Sequence, residues 1–142
     1  MTRVVCGVGE SPVTLGAVPA AVAFCRESGA DLEFVGVVRD VLTDTTRATG
    51  GNKVLRYNRV KFELDRAAEV ARDAGLSPEI VVRAGDAPGE LIREAEAAGA
   101  DEVFYVHTRG RIRAALTGQP RAELTHVSLA TRTAQRPLAK AA

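Results

Sequence analysis

The chain runs to 142 residues, the size of one domain and long enough to bury roughly two thirds of the surface its unfolded form exposes. Nineteen basic against eighteen acidic side chains leave a formal charge of +1, so no long-range field draws in nucleic acid or an anionic membrane surface. Four Phe, two Tyr and no Trp offer few stacking platforms for bases, and no apolar run is long enough to span a bilayer.

Met1-Thr2-Arg3 leads straight into a strand with no signal-peptide core, which implies a cytoplasmic protein. Arg3 to Val8 (RVVCGV) reads as a continuous apolar strand of the kind buried on both faces. Ser11-Pro12 then supplies a helix cap and a first-turn proline. Leu15, Val18, Val22 and Cys25 recur at helical spacing up to Gly29, where a left-handed cap belongs. Pro19 lies inside this pattern and removes a backbone donor, so it kinks the helix or makes it start later. Leu32 to Val38 is a second strand, and the polar, glycine-containing Thr43 to Asn52 reads as a mobile loop.

Val54, Tyr57, Leu64, Ala68 and Ala71 mark one face of a long helix that ends at Gly75, with Lys61, Glu63, Asp65, Arg66, Glu69 and Arg72 largely off that face. Glu79 to Arg83 is a third strand, and Gly85-Asp86-Ala87-Pro88 caps a helix carrying Leu91, Ile92 and Ala95 as far as Gly99. Glu102 to Val106 is the fourth strand, a helical segment follows from about Ile112 to Leu124, and His126 to Thr131 is a fifth strand. Residues 133–142 have little to bury and read as a flexible tail, which leaves 1–132 as the domain. Strands separated by helices of this length require parallel crossovers. The expected fold is therefore a single open, doubly wound sheet of five strands, all parallel apart from possible exceptions at the edges, with helices on both faces and Val4 to Val8 at its centre. Cys6 and Cys25 are far from C-x-x-C spacing and have no His nearby, so they read as small buried hydrophobes.

Four segments together resemble the universal stress protein family: VVCGVGESP at Val4 to Pro12, ADLEFVGVV at Ala30 to Val38, GDAPGELIREAEAAGADEVFYV at Gly85 to Val106, and HTRGRIRAALTG at His107 to Gly118. The resemblance covers nearly the whole chain and implies a Rossmann-like sheet of order 3-2-1-4-5, an ATP site and a homodimer joined through the last strand. The family's ATP pattern is an Asp closing the first strand and a loop G-x-x-G-x9-G-[ST] after the fourth. Here Gly9 stands where the Asp belongs and His107 where the first glycine belongs, while Gly110 matches. Seven residues separate Gly110 from Gly118, and Gln119-Pro120 follows in place of a small hydroxyl residue. Glycine cannot accept from a ribose or organise a metal, a His side chain fills space left for phosphates, and Pro120 lacks a cradle N–H.

A pocket is expected between the ends of the first and fourth strands, lined by Gly9, Ser11, Val37, His107, Arg109 and Gly110, with Arg111 and Gly118 farther along the loop. Arg109, Arg111 and Arg113 are guanidinium groups suited to anions, or else a solvated loop surface. His107 reads as a ring stacked on a ligand, a base, or a satisfied structural residue. Asp86 and Glu90 fit a helix cap and first-turn dipole better than a catalytic pair. No G-x-S-x-G, H-E-x-x-H or G-x-x-x-x-G-K-[ST] motif occurs, and no nucleophile with its base can be named.

The resulting expectation is a non-catalytic, ligand-sensing or partner-binding regulatory protein. It binds ATP weakly or not at all, with AMP or phosphate as low-affinity ligands and an unidentified regulatory protein as a further partner. The competing readings are a true ATP/AMP binder with slow ATPase or switch behaviour, and a dimerisation module without ligand.

Overall fold

The computed structural model describes residues 2–39, 50–109 and 121–129, with the side chains of 50–53, 108, 109, 121 and 122 outside that description. Strand β1 (Arg3–Val8) is buried from Val4 to Val8. It lies between β2 (Asp31–Arg39) and β4 (Glu102–Arg109), parallel to both. With β3 (Glu79–Gly85) beyond β2 and β5 (Arg121–Ser128) beyond β4, the order is β3-β2-β1-β4-β5, with β1 at the centre as its apolar pattern requires.

Alternation along β1 splits the core into two layers. Val4, Cys6 and Val8 join Leu32, Phe34 and Phe104 under helices α1 (Val18–Ser28) and α2 (Gly50–Asp73). Val5 joins Val35, Val103 and Leu129 under α3 (Ala87–Ala97), which contributes Leu91 and Ala95. Burial raises the Cys25 thiol to about 11, with Asp31 adding to it, and pushes Cys6 higher still. Both cysteines are free and buried, as expected of small hydrophobes.

Pro19 has the second of its two expected effects. A 3-10 helix, Pro12–Ala17, follows the Ser11 cap, and α1 starts only at Val18, with Pro19 in its first turn where its missing N–H costs nothing. Gly29 closes α1 in the left-handed region at φ 74.

Three expectations change. Gly50 to Asn52 belong to α2, while the rest of the proposed loop, 43–49, lies outside the described residues. The buried face of α2 begins at Val60 and continues through Leu64, Ala67, Ala68 and Ala71, so Val54 and Tyr57 are exposed. Residues 121–124 are strand and not helix. The last strand therefore starts five residues early; as the edge strand it runs antiparallel to β4, within the exception expected at the edges. Cross-strand pairs explain the direction: His126 lies opposite Phe104 with the rings stacked 4.1 Å apart, and its Nε2 meets Glu102 Oε2 at 2.8 Å. An antiparallel neighbour needs no crossover helix, so the sheet is mixed.

Charged groups fasten the α3 layer. Arg83 on β3 donates from Nε to Glu90 at 2.9 Å and from Nη1 to Glu94 at 3.0 Å, and Arg83 holds the Glu90 carboxyl below the usual range. Glu33, buried within β2, accepts from Arg3 Nη2 at 3.0 Å, and Arg3 also pairs with Glu79. The other Glu33 oxygen, Oε1, is buried with no hydrogen-bond partner among the described residues. Burial, followed by Glu94, raises the Glu33 pKa from 4.5 to about 7 against the pull of Arg3.

Two outcomes follow from this packing. A Cβ at Gly36 would sit 2.5 Å from Val60 Cγ1 and 2.6 Å from Leu64 Cδ1, forcing α2 away from the sheet. Gly36→Ala should cost roughly 2 kcal/mol, a fall of about 4–8 °C in Tm by calorimetry. Between pH 4.5 and about 7 the folded chain keeps a proton at Glu33 that the unfolded chain has released, so stability falls as pH rises through that window. Denaturant titrations should show a decline on the order of 1–2 kcal/mol that is flattened in Glu33→Gln.

Candidate functional site

The sheet changes winding direction between β1 and β4, and in open α/β sheets this is where the strand ends leave a crevice. A cleft of about 250 Å³ lies there. Its floor is the carboxyl end of β1 (Gly7, Val8, Gly9) with Val37 of β2 and Tyr105, Val106 and His107 of β4. One wall is Thr14 of the 3-10 helix, and the other is the first turn of α3, through Ala87, Pro88 and Leu91.

Gly7 sets the depth of the cleft. A Cβ there would come within 2.8 Å of Leu91 Cδ2 and 3.3 Å of the Tyr105 Cβ, so α3 packs this closely only over a glycine. Pro88 in the first turn of α3 fixes the start of that helix, and Leu91, one turn on, is buried against the sheet.

The loop after β1 satisfies its own polar groups. Gly9 N–H donates to Thr14 Oγ1 at 2.9 Å, and the Thr14 hydroxyl donates to Ser11 O at 2.7 Å. The Ser11 hydroxyl accepts from Val13 N–H at 3.3 Å as the cap of the 3-10 helix. The backbone donor best placed for an anion at the end of β1 is thus already taken. Among the described residues, none of those lining the cleft carries an Asp, Glu, Lys or Arg side chain, and Thr14, Tyr105 and His107 are its polar side chains.

Of the residues expected at the site, Gly9, Val37 and His107 line the cleft together, and Ser11 does not. His107 lies within β4, because that strand continues to Arg109 and does not stop at Val106. The side chain of Arg109, together with Gly110, Arg111, Arg113, Gly118 and Pro120, lies outside the described residues. Thr14, Leu91, Tyr105 and Gly7 were not singled out as site residues. A glycine inside an otherwise unbroken apolar strand was the available signal for Gly7. Asp86 precedes α3 as its N-cap, and Glu90 is bound to Arg83 and Arg93, so the two do not act as a catalytic pair. His126 is held by Glu102 and stacked on Phe104, which gives it a structural role. Among the described residues no group of His, Cys, Asp and Glu is arranged to hold a metal ion, and no helix is long and apolar enough to cross a membrane.

Comparison with known proteins agrees with this architecture. A universal stress protein from Burkholderia pseudomallei superposes with a TM-score of 0.60 at 21% identity, over 70% of this chain and 76% of that one. A universal stress protein solved in complex with cAMP gives 0.56 at 24% identity, over 70% and 72%. One from Archaeoglobus fulgidus gives 0.53 at 15%, over 71% and 72%. No curated protein sequence matches the chain. The model of the universal stress protein family matches residues 1–128, nine tenths of the length, and the chain belongs to that family.

Proposed function

We propose that this protein is a non-catalytic regulatory module whose cleft takes a small, largely uncharged planar ligand such as a nucleobase or nucleoside, and that ATP binds weakly or not at all. The observation that carries this reading is the lining: apolar walls, no charged side chain among the described lining residues, and a Gly9 N–H already committed to Thr14. A triphosphate brings up to four negative charges and needs donors and cations placed for them. A flat ring needs only the apolar floor and one or two of Thr14, Tyr105 and His107. The absence of a positioned nucleophile–base pair in the described cleft supports the non-catalytic part.

A genuine nucleotide-binding role is the second reading, favoured by the cAMP-bound relative. Under either reading a cytoplasmic setting suits two free buried thiols. A homodimer through the last strand is proposed as well, since β5 ends the sheet and its outer backbone groups gain partners in a symmetric pairing.

Calorimetry separates the two ligand readings. Loss of the acidic residue at Gly9 and of the glycine at His107 should remove about 3 kcal/mol, so ATP with magnesium should bind over a hundredfold more weakly than in an intact site. Adenosine should bind at least as well as ATP. Low-micromolar ATP affinity that disappears in Arg109→Ala would establish nucleotide binding instead.

A further inference from the structure

Among the described residues, helix α2 carries an outer face with exposed apolar side chains. Leu55, Phe62 and Val70 are exposed there, Phe62 by 61%, although the inner face of the same helix is fully buried from Val60 onward. Charge is unevenly distributed along it. The first twelve residues, 50–61, hold four basic side chains (Lys53, Arg56, Arg59, Lys61) and no acidic one. The last twelve, 62–73, hold four acidic side chains, of which Asp65, Glu69 and Asp73 are exposed and Glu63 is buried, against two basic. This gradient runs against the helix dipole, which favours acids at the start and bases at the end, so stabilisation of the isolated helix does not account for it.

We propose that the outer face of α2 is a self-association surface that pairs antiparallel with α2 of a second copy about a two-fold axis at the level of Leu64. Residues 55, 59, 62, 66, 69 and 73 follow the alternating three- and four-residue spacing of one helical seam. Antiparallel pairing centred on 64 sets Arg59 opposite Glu69 of the other copy, and Phe62 opposite Arg66, each contact occurring twice. Arg66 already lies over the Phe62 ring within one chain, 5.9 Å from its centroid, so the cation and the ring are poised for the same contact between copies. The basic half of each helix then faces the acidic half of the other.

A helix of 24 residues is about 36 Å long, and a strip about 10 Å wide along it covers roughly 400 Å² per copy, below the size of a permanent interface. The association is therefore reversible and depends on concentration. It uses a different surface from β5 and adds to whatever that strand does.

Sedimentation of the full chain over roughly 20–500 µM tests this. The weight-average mass of the wild type should rise with concentration, and Arg59→Glu or Glu69→Arg alone should weaken that step by about tenfold or more through two like-charge contacts. Association should return in the double variant, whose charges are again complementary only in the antiparallel register, and in an equimolar mixture of the two single variants, one of which carries acids and the other bases at both positions. Superimposable curves for the wild type and both single variants, or a mixture that fails to regain association, would overturn the proposal.

Discussion

A strand that is apolar on both faces cannot lie at the edge of a sheet or with one side in water, and β1 is such a strand. Placing it in the centre determines what surrounds it: one layer of helices must cover Val4, Cys6 and Val8, and a second must cover Val5. It also determines where the cleft opens. The chain winds one way from β1 through β2 to β3 and the other way through β4, so the carboxyl end of β1 is left between two diverging connections. Gly7 and Gly9 sit at that end, and the site follows from the burial of the five residues before it.

The same layering shows which parts of the fold could be read in the residue pattern. Local rules reached the central place of β1, the Ser11 cap, the disturbance at Pro19 and the left-handed turn at Gly29, because each depends on residues close in the chain, whereas the full strand order came from the family resemblance. The direction of β5 depends on contacts 24 residues apart in sequence, between His126 and Glu102, and no local spacing reveals it. The inner face of α2 was shifted for a related reason: Val54 and Tyr57 fit the helical period, but no sheet surface buries them.

The cleft was half legible. Strand ends can be placed from apolar runs, which brought Gly9, Val37 and His107 together. Leu91 and Tyr105 enter only through close packing of α3 across Gly7, a three-element contact. The neighbouring 3-10 helix turns Thr14 inward, where its hydroxyl accepts the Gly9 N–H and gives its own proton to Ser11 O. These polar groups hold the loop after β1 together.

The two cysteines carry a consequence of a different kind. Cys6 belongs to the central strand and Cys25 to a covering helix, in the same core layer, and burial suppresses the thiolate of each. Only the thiolate reacts at an appreciable rate, so an alkylating reagent reaches either sulfur when the structure opens. Cys25 leaves with α1, whereas Cys6 stays on the sheet face that α1 and α2 cover together. The pair is thus a built-in clock with two hands, one timing release of α1 and the other loss of the whole helical layer, with no label introduced.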